Sequence, residues 1–436
     1  MNSQEAVNLV NIQLKKCNSP FLSEIEHQLF IDSWNGISYE KTAFKVNYSS
    51  HYLRYLASQM WKRLSSVFEV PLSKRTLHNT LQECRLAGYS PLILCKQSAP
   101  LPLYYQPYPQ QVNLSQAIIK NYYQVIGVFG MVGVGKSTFA QGLTQQVSRD
   151  FDRVIWHSFQ AEKLSFGEWF NKIIFFLTGE VRTSASMTIE AKINELMAIF
   201  RQKRILVIFD HLEQLFCSQL PAGQYDHKYQ DYRDFIQHFV LEKHQSYLIF
   251  TSRDYPEDYE TKLKKQPLFY PVLLRGLQGK QTQNILSKLG INAQQNELEA
   301  FHLEYDGNPW ALTEAALYFK AHYPHQNLAC FWQAKNDIFK RIAKTFDEEL
   351  KRLSALEKTV VLSLANESHP FPRQYFSDLN TGLSKYQLAE ALASLSARSL
   401  LKMDSGFVIL SPLFQAYLKR FCRHKTGKIK ELAYSL

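Results

Sequence analysis

The stretch that decides the fold is Gly130-Met131-Val132-Gly133-Val134-Gly135-Lys136-Ser137. It fits G-x-x-x-x-G-K-[ST] at every fixed position. Glycines allow a tight backbone turn that aims N–H groups at phosphate oxygens. Lys136 can reach β- and γ-phosphates, and Ser137 can hold a Mg²⁺ ion. The flanks agree. Residues 123–129 are mostly apolar and β-rich, as a buried strand is. From Thr138 onward the chain reads as a helix, whose amino end favours an anion. Gly130 through Thr138 are therefore read as nucleotide-contacting residues on a strand–loop–helix unit.

Further strand candidates at 153–158, 204–209, 246–251 and 269–273 alternate with helical stretches. That alternation predicts an α/β P-loop NTPase domain, a parallel sheet with helices on both faces, over residues 113–275. Arg204 to Asp210 runs basic residue, apolar strand, acid, the pattern in which the carboxylate supports a Mg²⁺ shell. Ser137 and Asp210 are thus the candidate metal pair. His211 follows, where many related ATPases carry a second acid to polarise the attacking water, and Glu213 stands two positions later. His211 reads as a cap on the strand, with proton acceptance as the alternative. Slow ATP hydrolysis is the expectation. Thr251-Ser252-Arg253 ends the fourth strand candidate, and ligands in open α/β sheets bind at carboxyl ends of strands. Arg253 is accordingly expected to sense a γ-phosphate. The candidate catalytic set is Asp210, Glu213, His211 and Arg253.

Around this domain the 436 residues divide further. Residues 1–20 read as an N-terminal tail. Residues 21–85 read as a helix-turn-helix domain: Ser23 and Glu26 form a capping-box pattern, and a short helix Tyr39–Val46 precedes a longer one, Ser50–Phe68. The long helix has Leu53, Leu56, Met60, Leu64 and Phe68 on one face and His51, Arg54, Tyr55, Ser58 and Lys62 on the other. Residues 86–112 hold prolines 91, 100, 102, 107 and 109 and read as an extended linker. A helical subdomain (276–344) and a winged-helix subdomain (345–425) follow. The latter has a capping box at Ser354 and Glu357, a helix near 385–395 and a hairpin pairing 400–403 with 407–410. Residues 426–436 complete a basic tail.

Apolar content of 45% supports real cores and opposes disorder. No run approaches the roughly 18 apolar residues of a membrane span. Glu5 and polar neighbours break up the first 16 residues, so they do not read as a secretory signal. Cysteines 17, 84, 95, 217, 330 and 422 are scattered without Cys-x-x-Cys and read as reduced cytoplasmic thiols. A net charge of +11 permits nucleic acid or an acidic partner without requiring either.

Taken together, these residues resemble STAND-class signalling NTPases of the NB-ARC family. Phe209-Asp210-His211-Leu212-Glu213 is similar to its Leu-Asp-Asn-Val-Glu type motif, and residues 244–253 to its sensor strand. Gly307-Asn308-Pro309-Trp310-Ala311-Leu312 is similar to its Gly-Leu-Pro-Leu type motif, which implies that Pro309 packs near the adenine. The N-terminal unit resembles the helix-turn-helix labelled vWA-MoxR associated, found ahead of such ATPases in cyanobacteria. The likeness covers about residues 21–425. Three features depart from it. Tyr104-Tyr105-Gln106-Pro107 takes the place of a Phe-Tyr-Gly-Arg type segment and lacks the Gly and Arg that help hold adenine. Leu410-Ser411-Pro412 takes the place of the Met-His-Asp type motif and has no His, which implies a weaker ADP-locked state. A repeat sensor usually follows the winged helix; with Leu436 as the last residue, none is expected.

The resemblance implies a switch that binds ATP or ADP with Mg²⁺, closed with ADP and able to form a homo-oligomer with ATP. The helix-turn-helix would be an adaptor for a protein partner. The alternative is a DNA-binding regulator with His51, Arg54, Tyr55, Ser58 and Lys62 in a major groove. The unit is only weakly basic, which favours the adaptor. A GTPase or an ABC transporter ATPase fits worse: Lys335-Asn336-Asp337 has the wrong order for a guanine motif, and Leu-Ser-Gly-Gly-Gln is absent.

Overall fold

The computed structural model describes residues 3–16, 19–46, 48–68, 72–78, 81, 92–94, 101–102, 105, 108–178, 186–323, 328–367, 370–372, 374 and 381–421. Tyr104, Gln106, Pro107, most of the stretch 86–107 and the basic tail lie outside them. The chain forms two compact units: Met1–Ile93 with Phe175–Glu180, and Leu94–Ile174 with Val181–Leu436. Among the described residues no helix is long and apolar enough to cross a membrane.

In the first unit, helices span Ser3–Lys16, Glu24–Trp34, Tyr39–Val46 and Ser50–Phe68. The Ser23–Glu26 capping box forms in both directions, with the Ser23 N–H donating to the Glu26 carboxylate at 2.9 Å. Leu53, Met60 and Leu64 are buried with Leu29 and Phe30, while His51, Arg54, Tyr55, Ser58 and Lys62 are exposed. Within the stretch 1–20 read as a tail, residues 3–16 form a helix. Ala6, Val7, Val10 and Leu14 of the helix Ser3–Lys16 are buried in this same core. Apolar residues at 6, 10 and 14 recur at helical spacing, so the polar residues between them do not interrupt the stripe.

In the second unit, five parallel strands run in the order Arg153–Ser158, Ile205–Asp210, Tyr247–Ser252, Val125–Phe129, Phe269–Leu273. Every residue of Val125–Phe129, Ile205–Asp210 and Tyr247–Ser252 is buried. Continuous apolar runs are what a parallel sheet covered on both faces demands. A helix Pro109–Ile119 starts inside the stretch read as linker, because proline is tolerated in a first helical turn. A short strand Leu92–Leu94 also falls in that stretch.

C-terminal to the sheet come the helices Gly279–Lys288, Gln295–Glu304, Pro309–His322, Phe331–Arg352, Ala355–Ala365 and Lys385–Ala397. A three-stranded antiparallel sheet places Phe407–Leu410 between Phe371–Pro372 and Leu401–Asp404, and the helix Pro412–Phe421 follows. The linking helix Phe331–Arg352 runs unbroken across the expected 344/345 boundary. One core also joins both sides of that boundary: Phe301, Tyr305 and Phe331 belong to it, as do Phe346, Val360, Leu395 and Phe414. It takes in Met131 and Val132 of the glycine-rich loop as well.

Candidate functional site

The loop begins where the buried strand Val125–Phe129 ends and closes onto the helix Lys136–Val147. Two of its glycines are required by geometry. Gly133 has φ +77, and a Cβ there would stand 2.8 Å from Asn308 Oδ1; Gly135 has φ +95 as the residue preceding the helix. Lys136 is buried and donates to the carbonyls of Gly130 at 2.8 Å and Met131 at 3.0 Å. Burial pushes its pKa down to about 8, against the pull of the Glu213 carboxylate. The ammonium therefore sits dehydrated under the loop, satisfied by carbonyls that an anion can replace.

Asp210 ends the neighbouring strand and is buried. Its Oδ1 accepts from Ser137 Oγ at 2.8 Å and from Thr251 Oγ1 at 2.6 Å. Its Oδ2 lies 3.2 Å from His211 Nδ1. Burial pushes the Asp210 carboxyl up, but the hydrogen bond and charge of His211, with Thr251 and Ser137, outweigh it and hold the group below its ordinary value. Burial lowers His211, but its bond to Asp210 outweighs that and raises it. His211 adopts φ +62, and its N–H donates to Thr251 Oγ1 at 3.0 Å. The Ser137 hydroxyl and the Asp210 carboxylate thus stand side by side at the loop, an oxygen donor set that suits Mg²⁺ completed by substrate phosphates.

Arg253 follows the strand Tyr247–Ser252, but its guanidinium is engaged within the protein. Its Nε lies 3.1 Å from Glu213 Oε1, its N–H donates to Glu213 Oε2 at 3.3 Å, and its Nη1 donates to Glu349 on the linking helix. Asp254, next in sequence, pairs with Arg352 and, at 3.1 Å, with Arg398 Nη1. Arg398 Nε donates to Glu357 at 2.7 Å, and its Nη2 to the Leu220 carbonyl at 2.7 Å. The side chains of Arg398, Asp254 and Glu357 are each 1% exposed.

Beside the loop lies a cavity of about 310 Å³ lined by Tyr105, Tyr108, Gly135, Thr138, Pro309 and Trp310 among others. Asn308 ties its wall to the loop: its Nδ2 donates to the Val132 carbonyl at 2.9 Å while its Oδ1 caps the helix Pro309–His322. The Trp310 N–H donates to the Gly133 carbonyl at 3.2 Å. Buried Gln111 accepts from Tyr105 Oη at 2.6 Å and donates to the Phe139 carbonyl at 2.7 Å. Pro309 lines the cavity as the motif implied; Asn308 and Trp310 stood in the same motif without a role, and Gln111 had no sequence signal. Val134 is buried in the core of the parallel sheet. Ser411 donates to the Met131 thioether at 3.1 Å, so the Leu410-Ser411-Pro412 stretch rests on the loop.

Residues 1–84 match the family model described as vWA-MoxR associated protein N-terminal HTH, and residues 111–221 match NB-ARC domain. The first match takes in the helix Ser3–Lys16. An uncharacterized WD repeat-containing protein of Nostoc sp. is 26% identical over 310 residues, which is 68% of this chain and 24% of that protein. The match thus spans about a quarter of that curated relative's length. The Walker-type ATPase of Pyrococcus abyssi superposes with a TM-score of 0.53 at 13% identity, covering 75% of this chain and 99% of that one. At this identity the likeness is one of fold. A STAND protein with a tetratricopeptide repeat sensor from Pyrococcus horikoshii gives a TM-score of 0.39 at 13% identity, over 76% of this chain and 45% of that one.

Proposed function

Proceeding from a chain that carries an NB-ARC domain behind a helix-turn-helix domain of the vWA-MoxR-associated type, we propose that it is a signalling switch controlled by ATP and ADP. One observation carries this reading: the strand end beside the one that bears Asp210 holds the C-terminal helices, through Arg253 to Glu349 and through Asp254 to Arg352 and Arg398. Nucleotide chemistry and the position of those helices therefore meet at adjacent strand ends. Lys136 would exchange two carbonyls for phosphate oxygens, and loop N–H groups would bind the rest. The base would enter the cavity between Tyr108 and Trp310. Ser137 and Asp210 would hold Mg²⁺, which when bound neutralises charge on the phosphates. His211 bonded to Asp210, and Glu213 bonded to Arg253, are both poorly free to take a proton from water, which supports slow hydrolysis. Homo-oligomers would form from the ATP state, in the cytoplasm.

The N-terminal domain serves this switch as an adaptor for a protein partner. Its exposed face combines Tyr55 and Tyr52 with Arg54, and Arg54 is paired with the equally exposed Glu40. Aromatic residues and arginine are the types that anchor protein interfaces, while an acid on the same face opposes a phosphate backbone. Salt-sensitive binding of duplex DNA by the whole chain, lost in Arg54→Ala/Lys62→Ala, would replace the adaptor by a DNA-reading module. The switch itself is tested by calorimetry of the full chain with ADP and with ATP·Mg²⁺. Binding of both, abolished in folded Lys136→Ala, is expected; unchanged binding in that variant contradicts the site.

A further inference from the structure

Arg253, expected to read a γ-phosphate, is already occupied. Its partner Glu349 lies near the end of the linking helix Phe331–Arg352, and that carboxylate is 2% exposed. Glu349 also pairs with Arg352 Nη1 at 3.3 Å, and Arg352 reaches Asp254. The pairs continue through Asp254 to Arg398 and from Arg398 to Glu357. Four acids, Glu213, Asp254, Glu349 and Glu357, thus share three arginines in a nearly dry interior. Phe129 and Ser252 are partners on adjacent parallel strands, so Gly130 of the phosphate loop and Arg253 leave the same edge of the sheet.

We infer that Glu349 is an internal stand-in for the γ-phosphate: it holds Arg253 in the closed state, and the γ-phosphate of ATP displaces it. The inference rests on the nucleotide-switch reading and names the contact by which that switch closes. Two anions compete for one guanidinium at short range and low dielectric. A phosphate bound at Lys136 draws Arg253 toward itself and repels Glu349. Once Arg253 leaves, Glu349 keeps only Arg352, and a buried carboxylate with less compensation is costly enough to expel the end of the linking helix. ADP brings no γ-phosphate and leaves the contact intact. This supplies what a switch needs, a ligand with different affinity for the two states. The helix end carries Arg352 with it, so the ties from Asp254 to Arg352 and Arg398 loosen in the same movement.

The test is the ratio of ATP·Mg²⁺ to ADP affinity, measured by calorimetry on the full chain. Glu349→Gln keeps the shape and removes the competing charge. It is expected to tighten ATP about ten-fold relative to ADP, within the usual range of coupling between sites. The gain is expected to vanish when Arg253→Gln is added, because no guanidinium remains to be released. Where Glu349→Gln fails to fold by circular dichroism, Glu349→Asp keeps the charge but shortens the reach, and a smaller shift in the same direction is expected. An unchanged ratio in a folded variant, or a gain that persists with Arg253→Gln, overturns the stand-in role. Wild-type chain that binds neither nucleotide would overturn the switch and this contact together. Binding that depends on Lys136, with a ratio insensitive to Glu349, overturns the contact alone.

Discussion

Two neighbouring strand ends in the same sheet are finished in opposite ways. At the end of Ile205–Asp210, Asp210 is satisfied by Ser137, Thr251 and His211, all within the sheet domain. At the end of Tyr247–Ser252, Arg253 and Asp254 are satisfied largely by Glu349, Arg352 and Arg398, which lie 96, 98 and 144 residues away in sequence. The first end is built entirely from residues of the sheet domain. The second is complete only while the C-terminal helices stay in place, so it can report on them.

The largest effect belongs to the second end. Arg398→Ala leaves Asp254 and Glu357 buried without that partner, and loss of one member of a buried pair typically costs about 3–5 kcal/mol. A thermal melt that barely moves would break the contrast, since the distant residues would then not hold that strand end. Lys136→Ala strikes the first end. It is expected to weaken ADP and ATP by about 2–5 kcal/mol, because it removes the charge that pairs with buried phosphate. Asp210→Asn is expected to leave nucleotide binding in place and remove most of its strengthening by Mg²⁺. If Mg²⁺ titrations still tighten ATP as in the wild type, Asp210 is not the metal-side acid.

The pH dependence sharpens the same contrast. The Lys136 ammonium titrates near 8 in the nucleotide-free fold against an ordinary 10.5, so the fold binds fewer protons than the unfolded chain between those values. Stability of the nucleotide-free protein should rise with pH across that window. ADP affinity should fall several-fold over the same range, because the neutral amine pairs poorly with phosphate. Melting curves and calorimetry at matched pH check both, and an affinity flat above about pH 8 would remove Lys136 from phosphate binding. The smallest effect is on the N-terminal face. Arg54→Ala breaks an exposed pair with Glu40 and should leave the melting temperature unchanged while weakening partner capture.

The same contrast explains what could be read from the chain. The strands were legible because each is a short apolar run between polar turns, and all five appear within two residues of the expected bounds. The helix Ser50–Phe68 was legible from its periodic face. The self-contained strand end was legible too, since the acid strand and the phosphate loop each carry a spacing pattern. Glu349, Arg352 and Arg398 were not. On a helix such residues read as a solvated polar face, and only the tertiary fold turns them toward Arg253 and Asp254. The helix Ser3–Lys16 was misjudged because the stripe of Ala6, Val10 and Leu14 is narrow and polar residues stand between its members. The engaged state of Arg253 also needed the fold, because strand position alone says where a side chain starts and not what it meets.

The most direct measurement is hydrogen–deuterium exchange of the full chain with ADP and with a non-hydrolysable ATP·Mg²⁺. The segments to follow are 345–357 and 394–398, which carry Glu349, Arg352, Glu357 and Arg398. With ADP both segments should be protected; with the ATP analogue both should exchange faster, while the strands Val125–Phe129 and Ile205–Asp210 stay protected. Equal protection under both nucleotides, in protein that binds each through Lys136, would contradict control of the C-terminal helices by the γ-phosphate.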